Sequence, residues 1–515
     1  MKSTSPFING LHLDLKAMNF KTSYIPQYLA DLARQGINTL LVEYEDVFPF
    51  RGLDIAADRT RVWSPATLQM FLREAKRHRL EVIPLQQCLA HLEYILAWKQ
   101  YRPLAEDRAY PSTIRLADPR GLALITHLLR QVVTAHPDSR YIHLGMDEAH
   151  ALPHAAKRLG RDPLDLFLDH LRAILPVVEA AGKKAMIWGS MIEAHFRPGA
   201  LAEFRGRVCL ATGDYAPHDK LSPRSKFCGN RVRRAWLNDP ADPAAPALGP
   251  GTLFVEDYPP AIQRIIAPYQ RGKMFLPLFQ LDYWRKVGID AVAISAVRLS
   301  EELAVLPRYN ARRANLAGVN AAVRRSRQLG HITTSWARGN SWCPPNYCID
   351  LQWPLIGKAE TFWPGVPAKK IDHLIRTLGR CRDDWRLELQ VADEMDQLAP
   401  QLRAHRYEWD GIALMARVLA LQRRAEFNLL EVDYFTANYR PCATEWQRRL
   451  KEQRQTLRDI AAMRRRVRAH FGKRYAGAAF EEWLRHLFAL HEQRLRACRP
   501  ICRAKLQQAH RHYDH

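Results

Sequence analysis

Two carboxylates, Asp147 and Glu148, stand side by side near the end of the stretch Arg140-Tyr-Ile-His-Leu-Gly-Met-Asp-Glu-Ala-His150. Adjacent acids raise each other's proton affinity, which suits one of them to hold a proton near neutral pH while the other stays ionised. General acid–base chemistry needs that division. The same dipeptide also serves as a helix cap or a solvated pair, so the surrounding elements decide between the readings. The first half of the stretch alternates apolar and polar residues, as a strand does. Neighbours on a strand point to opposite faces. Both acids serve one cavity only if the strand ends there and the backbone turns, and Gly145 permits such a turn.

The elements that must position them repeat along the chain. Residues 10–16 predict a strand with Leu11, Leu13 and Leu15 on one face and His12, Asp14 and Lys16 on the other. Further strands are expected at Ile37–Val42, Glu81–Leu85, Tyr141–Gly145, Lys184–Trp188, Val208–Thr212, Ala291–Ala296 and His331–Ser335. Helical patterns over Tyr24–Gln35, Pro65–Arg79, Leu122–His136 and Leu164–Ala181 separate them. Such alternation implies a parallel sheet with right-handed crossovers. About eight strands over some 340 residues predict an α/β fold, a (β/α)8 TIM barrel. We assign it residues 1–355, with a Pro-, Gly- and Arg-rich insertion at about 217–272 on the functional face. Prolines in 343–367 mark a linker or packing segment. From 369 to 515 the chain reads as an all-helical C-terminal module, with apolar spacings of three and four in Leu414–Glu426 and Glu445–Phe471.

Active residues of such barrels come from the C-terminal ends of several strands. Those ends supply Asp14, Glu43, Glu45, His91, Asp147, Glu148, Trp188, Asp214, Tyr215, Trp336 and Arg338. A polar pocket with aromatic walls suits a sugar, whose C–H faces pack on aromatics and whose hydroxyls need hydrogen-bond partners. Glycoside hydrolysis normally uses two carboxylates about 5–10 Å apart. The seventh strand, Ala291-Val-Ala-Ile-Ser-Ala-Val297, has none, and Asp147 and Glu148 are too close in sequence to flank a glycosidic bond. A substrate that brings its own nucleophile remains.

The pattern His143-x-Gly145-x-Asp147-Glu148 resembles the signature of family 20 glycoside hydrolases, the β-N-acetylhexosaminidases. Gly10-Leu-His-Leu-Asp-Leu-Lys16, Leu41-Val-Glu-Tyr-Glu-Asp-Val-Phe-Pro49 and Glu81-Val-Ile-Pro-Leu-Gln-Gln-Cys-Leu-Ala-His91 resemble its hexosaminidase D branch. The likeness is clear over residues 10–150, thinner to about 340 and absent beyond. It implies release of a terminal N-acetylhexosamine from a glycan or glycoconjugate. In that mechanism the 2-acetamido oxygen attacks the anomeric carbon and gives an oxazolinium ion. Glu148 would then be the general acid, and Asp147 would accept the acetamido N–H and stabilise the developing charge. By the same resemblance Trp188 and Trp336 help wall the acetamido methyl; core packing is their other reading. His91 matches a histidine near the acid, or is a satisfied buried histidine. Asp14 binds hydroxyls or ties down Lys16. Glu43 and Glu45 bind sugar or form surface pairs, with at most one touching substrate. His143 belongs to the signature, while His150 and His154, at helical spacing, read as structural. The chain departs from the family at Asn9, where an Arg is usual, and at Arg338 in Trp336-Ala-Arg338, where the family has Trp-x-Glu. Its seventh strand lacks the usual Tyr, and Tyr215 beside Asp214 is the substitute.

Composition bounds the rest. The chain has 515 residues, 47% of them hydrophobic, enough for more than one core. No apolar run reaches transmembrane length, and Met1 to Asn9 lacks the pattern of a secretory signal. A cytoplasmic address and no membrane partner are expected. The nine cysteines include no C-x-x-C pair, and Cys343/Cys348 and Cys498/Cys502 lack the His/Cys partners of a zinc site. No metal or cofactor is therefore expected. Lys and Arg number 77 against 53 acids, a formal charge of +24, which bears on partners and solubility rather than on fold. The Arg464-Arg465-Arg466 run reads as a solvated helix face, so specific nucleic-acid binding is not expected, while a homodimer through the helical module is. Two rival classes stay open: a metal-dependent barrel hydrolase using His12, Asp14, His91 and His143, and a non-catalytic binder of glycan or anionic polymer.

Overall fold

The computed structural model describes residues 7–16, 20–56, 59–216, 221, 227, 231–232, 253–272, 274–299, 305–337, 349–380, 384–438 and 443–513. Arg338, Cys343, Cys348 and most of the expected insertion lie outside the described residues. The chain divides into two units. One comprises Met1–Lys16, Ile25–Leu299 and Ala311–Cys343; the other comprises Ala17–Tyr24, Ser300–Asn310 and Pro344–His515.

The first unit is a closed barrel of eight parallel strands. They are β1 (Ile8–Asp14), β2 (Thr39–Glu43), β3 (Glu81–Leu85), β4 (Tyr141–His143), β5 (Lys184–Trp188), β6 (Val208–Gly213), β7 (Asp290–Arg298) and β8 (Gly330–Ser335). Helices α1 (Ile25–Arg34), α2 (Pro65–Arg77), α3 (Pro119–Ala135), α4 (Pro163–Glu179) and α5 (Tyr309–Ser326) belong to the outer layer. Their starts are local chemistry. Ser64, Asp118 and Asp162 cap α2, α3 and α4 with side-chain oxygens that accept backbone N–H groups, and a proline follows each cap. The period of two along each strand sorts residues inward or outward. Ile8, Leu41, Ile83, Leu85, Tyr141, Met186, Trp188, Val292, Ile294 and Ile332 pack together as one cluster. Gly10 belongs to the crowded interior, since a Cβ there would lie 2.7 Å from Cγ1 of Ile332. Inward parity carries on from Ile8 to His12 and Asp14 and from Leu41 to Glu43. It thereby delivers charged residues to the C-terminal mouth.

Two expectations change. The fourth strand ends at His143 rather than Gly145, because Gly145 and Met146 take left-handed φ values of 64° and 72° and leave the ladder. The seventh strand does hold a carboxylate, Asp290, but at its N-terminal end beside Lys184 (4.0 Å), away from the mouth. Asn9, also low on its strand, donates from Nδ2 to the Gly36 carbonyl (2.8 Å) and so ties β1 to the end of α1.

The second unit is helical: α6 (Ala368–Leu378), α7 (Trp385–Leu398), α8 (Arg406–Asn438), α9 (Ala443–Phe471) and α10 (Ala478–Tyr513). Trp409, Trp446 and Trp483 are fully buried in it. Its charged centre is Arg474, stacked between Tyr24 (3.9 Å) and Tyr407 (3.8 Å) and paired with Asp350 (2.9 Å) and Glu408 (2.6 Å). Planar guanidinium suits both contacts, where an ammonium would not. Among the described residues no helix is long and apolar enough to cross a membrane.

Candidate functional site

The backbone after β4 makes the site. Gly145, Met146 and Glu148 all have positive φ, the last at 45°. At Gly145 a side chain is excluded twice over, by that φ and by Gln87, whose Oε1 would stand 1.8 Å from an added Cβ. Non-glycine residues adopt such angles only where their surroundings hold them, commonly at functional sites. The turn separates the environments of the two acids. The Asp147 side chain is 16% exposed and that of Glu148 is 60% exposed. Asp147 Oδ1 is buried with no hydrogen-bond partner among the described residues. A buried acceptor left unmade costs about 1–3 kcal/mol, so it calls for a donor from elsewhere.

His91 joins the pair. Its Nε2 lies 3.5 Å from Asp147 Oδ2 and 3.5 Å from Glu148 Oε2, and its own φ is 52°. Burial works against its charge. The Asp147 carboxylate, with Glu93 and Glu43 beyond, more than offsets that and raises His91 to about 10. A folded-state value above the usual value near 6.5 adds stability that is complete below about pH 6.5 and is lost as pH rises through about 10. We therefore expect the stability difference between wild type and His91→Gln, read from urea melts, to shrink between those limits. A difference that is flat across that window counts against a cationic His91.

The mouth's aromatic side comes from β4, β5, β6 and the segment after β8. His143 and Trp188 have ring centroids 4.3 Å apart, Trp188 and Trp336 5.7 Å, and Trp336 and His12 4.6 Å. Trp336 Nε1 donates to the Tyr215 hydroxyl (3.1 Å). Burial pushes Tyr215 well up, and both Asp147 and Glu148 add to the rise, so its hydroxyl is within electrostatic reach of the pair. Trp188 Nε1, like Asp147 Oδ1, is a buried group without a partner among the described residues. His143 itself is fully enclosed. Its Nδ1 accepts the Gly145 N–H (3.0 Å), and burial lowers it to about 3 despite Asp147 and Glu43, so it stays neutral and supports the turn. Asp214 accepts the Ala216 N–H (3.1 Å), and Asn315 of α5 donates to the carbonyls of Asp214 (2.6 Å) and Ala216 (2.8 Å).

Sequence reading offered Asp14 with Lys16 and missed the rest of the cluster at the mouth. Lys16 is buried, 2.7 Å from Glu43, 3.2 Å from Asp14 and 3.9 Å from Glu45. His12 Nε2 lies 3.2 Å from Glu43, Gln87 donates to the same carboxylate (3.3 Å), and Asp14 accepts the Ala337 N–H (2.9 Å). Burial opposes these charges. Lys16 and then His12 nonetheless hold the Glu43 carboxyl well below the usual range, and Asp14, Glu43 and Glu45 hold Lys16 well above its own. Glu43 and Glu45 are therefore not surface pairs, and the carboxylate of Glu43 is spent on Lys16, His12 and Gln87. The register explains the meeting, since Asp14 pairs directly with Glu43 across β1 and β2. The available signal was Lys16 two residues past Asp14 on the inward face. Removing one partner of a buried pair typically costs about 3–5 kcal/mol. Lys16→Met should lose stability of that order in a denaturant titration, and a loss below about 1 kcal/mol would show the cluster to be unimportant for folding. His12, Asp14, His91 and His143 do not gather their ligand atoms round one point, each being held by another partner.

Comparisons with known proteins add a sequence context. No family model matches the chain. Human hexosaminidase D is 31% identical over 201 residues, which are 37% of this chain and 41% of the human protein. Hexosaminidase D of Bos taurus is 29% identical over 195 residues, 35% of this chain and 55% of that protein. The match thus spans about half the length of these curated relatives. Among solved structures, the family 20 β-N-acetylhexosaminidase of Streptomyces coelicolor A3(2) is 14% identical, with 78% of this chain and 69% of that chain covered and a TM-score of 0.43. The chain is similar in sequence to hexosaminidase D over part of its length.

Proposed function

We propose that the barrel is an exo-acting β-N-acetylhexosaminidase that releases terminal GlcNAc or GalNAc with retention, using the substrate's own acetamido group as nucleophile. The observation that carries this reading is the division of the acid pair: a partnerless buried acceptor on Asp147 next to a solvent-facing Glu148. An acetamido N–H is a donor of the kind Asp147 Oδ1 lacks. Bound there, the amide is turned so that its carbonyl oxygen faces the anomeric carbon, and the carboxylate stabilises the positive charge that grows on the ring being formed. Glu148 protonates the leaving oxygen from the open side and then takes a proton from the attacking water. Trp188 and Trp336 wall the acetamido methyl, and Tyr215, fixed by Trp336, stands by the carbonyl. Asp14, through Ala337 and Lys16, keeps the mouth in shape. His91, cationic between the two acids, keeps them from repelling each other. The part-length similarity to hexosaminidase D supports the substrate class. Free, buried Cys88 and Cys209 suit a reducing compartment, and we place the protein in the cytoplasm.

The direct test is hydrolysis of paired aryl β-GlcNAc and β-GalNAc substrates followed by NMR. The β-anomer of the free sugar should appear first, before mutarotation. Prompt appearance of the α-anomer would mean inversion and would exclude the proposed route.

A further inference from the structure

We propose that the groove between α2 and α3, on the outside of the barrel, binds a polyanionic oligosaccharide, a sulfated or uronic glycan chain. The inference is independent of the proposed chemistry. Each wall is one face of a helix. Gln69, Leu72, Arg73 and Lys76 line the groove from α2, and His127, Arg130, Gln131 and Thr134 line it from α3. Both sets follow the spacing i, i+3, i+4, i+7, which keeps side chains on one stripe of a helix. Between the stripes are two cavities of about 410 and 370 Å³, which share Gln69, Thr134 and Ala135 and so form one groove. The rise from His127 to Ala135 alone is about 12 Å, so the groove takes a chain rather than a single ion or sugar. Its end nearer the start of α2 is fixed in place. The Arg51 N–H donates to Gln131 Oε1 (2.7 Å), and Gln131 Nε2 donates to the Arg51 carbonyl (3.2 Å).

The charge of the lining identifies the ligand. Arg51 and Arg130 border one cavity, Arg73, Lys76 and Arg79 border the other, and all five are exposed. Two acids stand beside them, and both are engaged. Glu81 accepts the Arg140 backbone N–H (2.9 Å) and Nε–H (3.0 Å), and Asp138 pairs with Lys76 (3.0 Å). The four arginines have no ion pair among the described residues. A cleft lined by one sign of charge focuses its field and concentrates counter-ions of the other sign. The guanidinium fork fits the paired oxygens of a carboxylate or another oxyanion. Shape narrows the class. A recessed groove does not meet a flat membrane. Single-stranded nucleic acid gains affinity from bases stacked on aromatic side chains. Among the described residues the one Phe, Tyr or Trp lining this groove is Phe48, which is 5% exposed. Where the two cavities meet, Gln69 and Thr134 instead present an exposed amide and hydroxyl, which are partners for sugar hydroxyls.

Fluorescence anisotropy of a labelled heparin hexasaccharide with the full chain, at about 0.15 M salt, tests this. We expect saturable binding. Arg73→Glu and Arg130→Glu, one from each wall, should each weaken it about tenfold or more, the worth of one hydrogen bond to a charged group. Arg465→Glu makes the same change of charge at an exposed position of α9 and should leave binding nearly unchanged. That contrast separates the groove from the general charge of the chain. Turnover of an aryl substrate should be the same in all three variants, since none of these residues belongs to the mouth, and circular dichroism and melting curves confirm folding. If a Glu variant does not fold, Arg73→Gln and Arg130→Gln decide in its place. No saturable binding, an equal loss in Arg465→Glu, or tighter binding of a single-stranded oligonucleotide of equal charge or of anionic vesicles each overturns the proposal.

Discussion

Glu148→Gln is expected to cut turnover of a poor-leaving-group β-N-acetylhexosaminide by about 10²–10⁴-fold, the usual worth of general acid–base catalysis. Gln matches Glu in shape and has no proton to give, so the left-handed turn at position 148 and the contacts of Asp147 should survive the change. The effect must depend on the leaving group. A sugar alkoxide needs its oxygen protonated as the bond breaks, whereas a nitrophenolate departs almost unaided. Wild type and variant should therefore converge along a series of aryl substrates of falling leaving-group pKa in the glycosylation step, with the substrate KM little altered. The exposure of Glu148 fits that role, because the acid must reach an oxygen whose remaining substituent extends towards solvent. His91 gives a control. It touches the same carboxylate, so its loss should shift the pH dependence of the rate while leaving a proton donor in place. Equal turnover of wild type and Glu148→Gln on a disaccharide would remove Glu148 from the role.

The barrel was legible where patterning alone determines structure. Apolar runs, alternating with polar residues in β1 and β4, marked all eight strands, and the helical patterns over Tyr24–Gln35, Pro65–Arg79, Leu122–His136 and Leu164–Ala181 match α1 to α4 to within a few residues. Boundaries set by tertiary contact were not legible. β4 stops at His143 because Gln87, two residues beyond β3, occupies the space that a side chain at Gly145 would need. α8 runs from Arg406 to Asn438, well beyond the expected Leu414–Glu426, because its flanks are held by tertiary contacts: Trp409 Nε1 donates to the Met395 carbonyl (2.8 Å), and Glu431 pairs with Arg449 (2.9 Å). α10 continues through Pro500, which by propensity alone would end a helix. α5 escaped notice because its Arg- and Asn-rich sequence lacks a clear apolar stripe, yet its Asn315 holds the loop that carries Asp214 and Tyr215. In the site, the acid pair stood out as a motif. Of the Lys16 cluster only Asp14 with Lys16 was legible, because Glu43 and Glu45 come from the end of the neighbouring strand and only the β1–β2 register brings them to the same Lys.

The largest effect is expected from the substrate itself. Within the described residues of β7 the only carboxylate is Asp290, at the far end from Glu148, so the barrel offers no nucleophile from that strand. If the acetamido oxygen fills the vacancy, replacing the 2-acetamido group by hydroxyl removes the nucleophile and Asp147's hydrogen-bond donor together. Plain β-glucosides and β-galactosides should then be turned over more slowly by about 10⁴-fold or more, on the scale of well-oriented intramolecular attack. The same logic applies to inhibition. A thiazoline fused across C1 and C2 has the shape of the cyclised intermediate, and protonated it carries the matching charge. It should bind at least about 10²-fold better than free GlcNAc, as transition-state-like ligands do. Asp147→Asn tests the charge separately from the shape. The amide keeps the size and an acceptor oxygen, but loses the full negative charge that faces the developing cation. Turnover and thiazoline affinity should fall together, by about 10²–10³-fold in turnover, the range for removing one preorganised electrostatic contact. The parallel loss matters, because a merely structural Asp147 would weaken binding of GlcNAc and thiazoline alike. Trapping a covalent ester between enzyme and sugar, or finding comparable rates on plain glucosides, would rule out the acetamido group as nucleophile and leave Asp147 without its proposed partner.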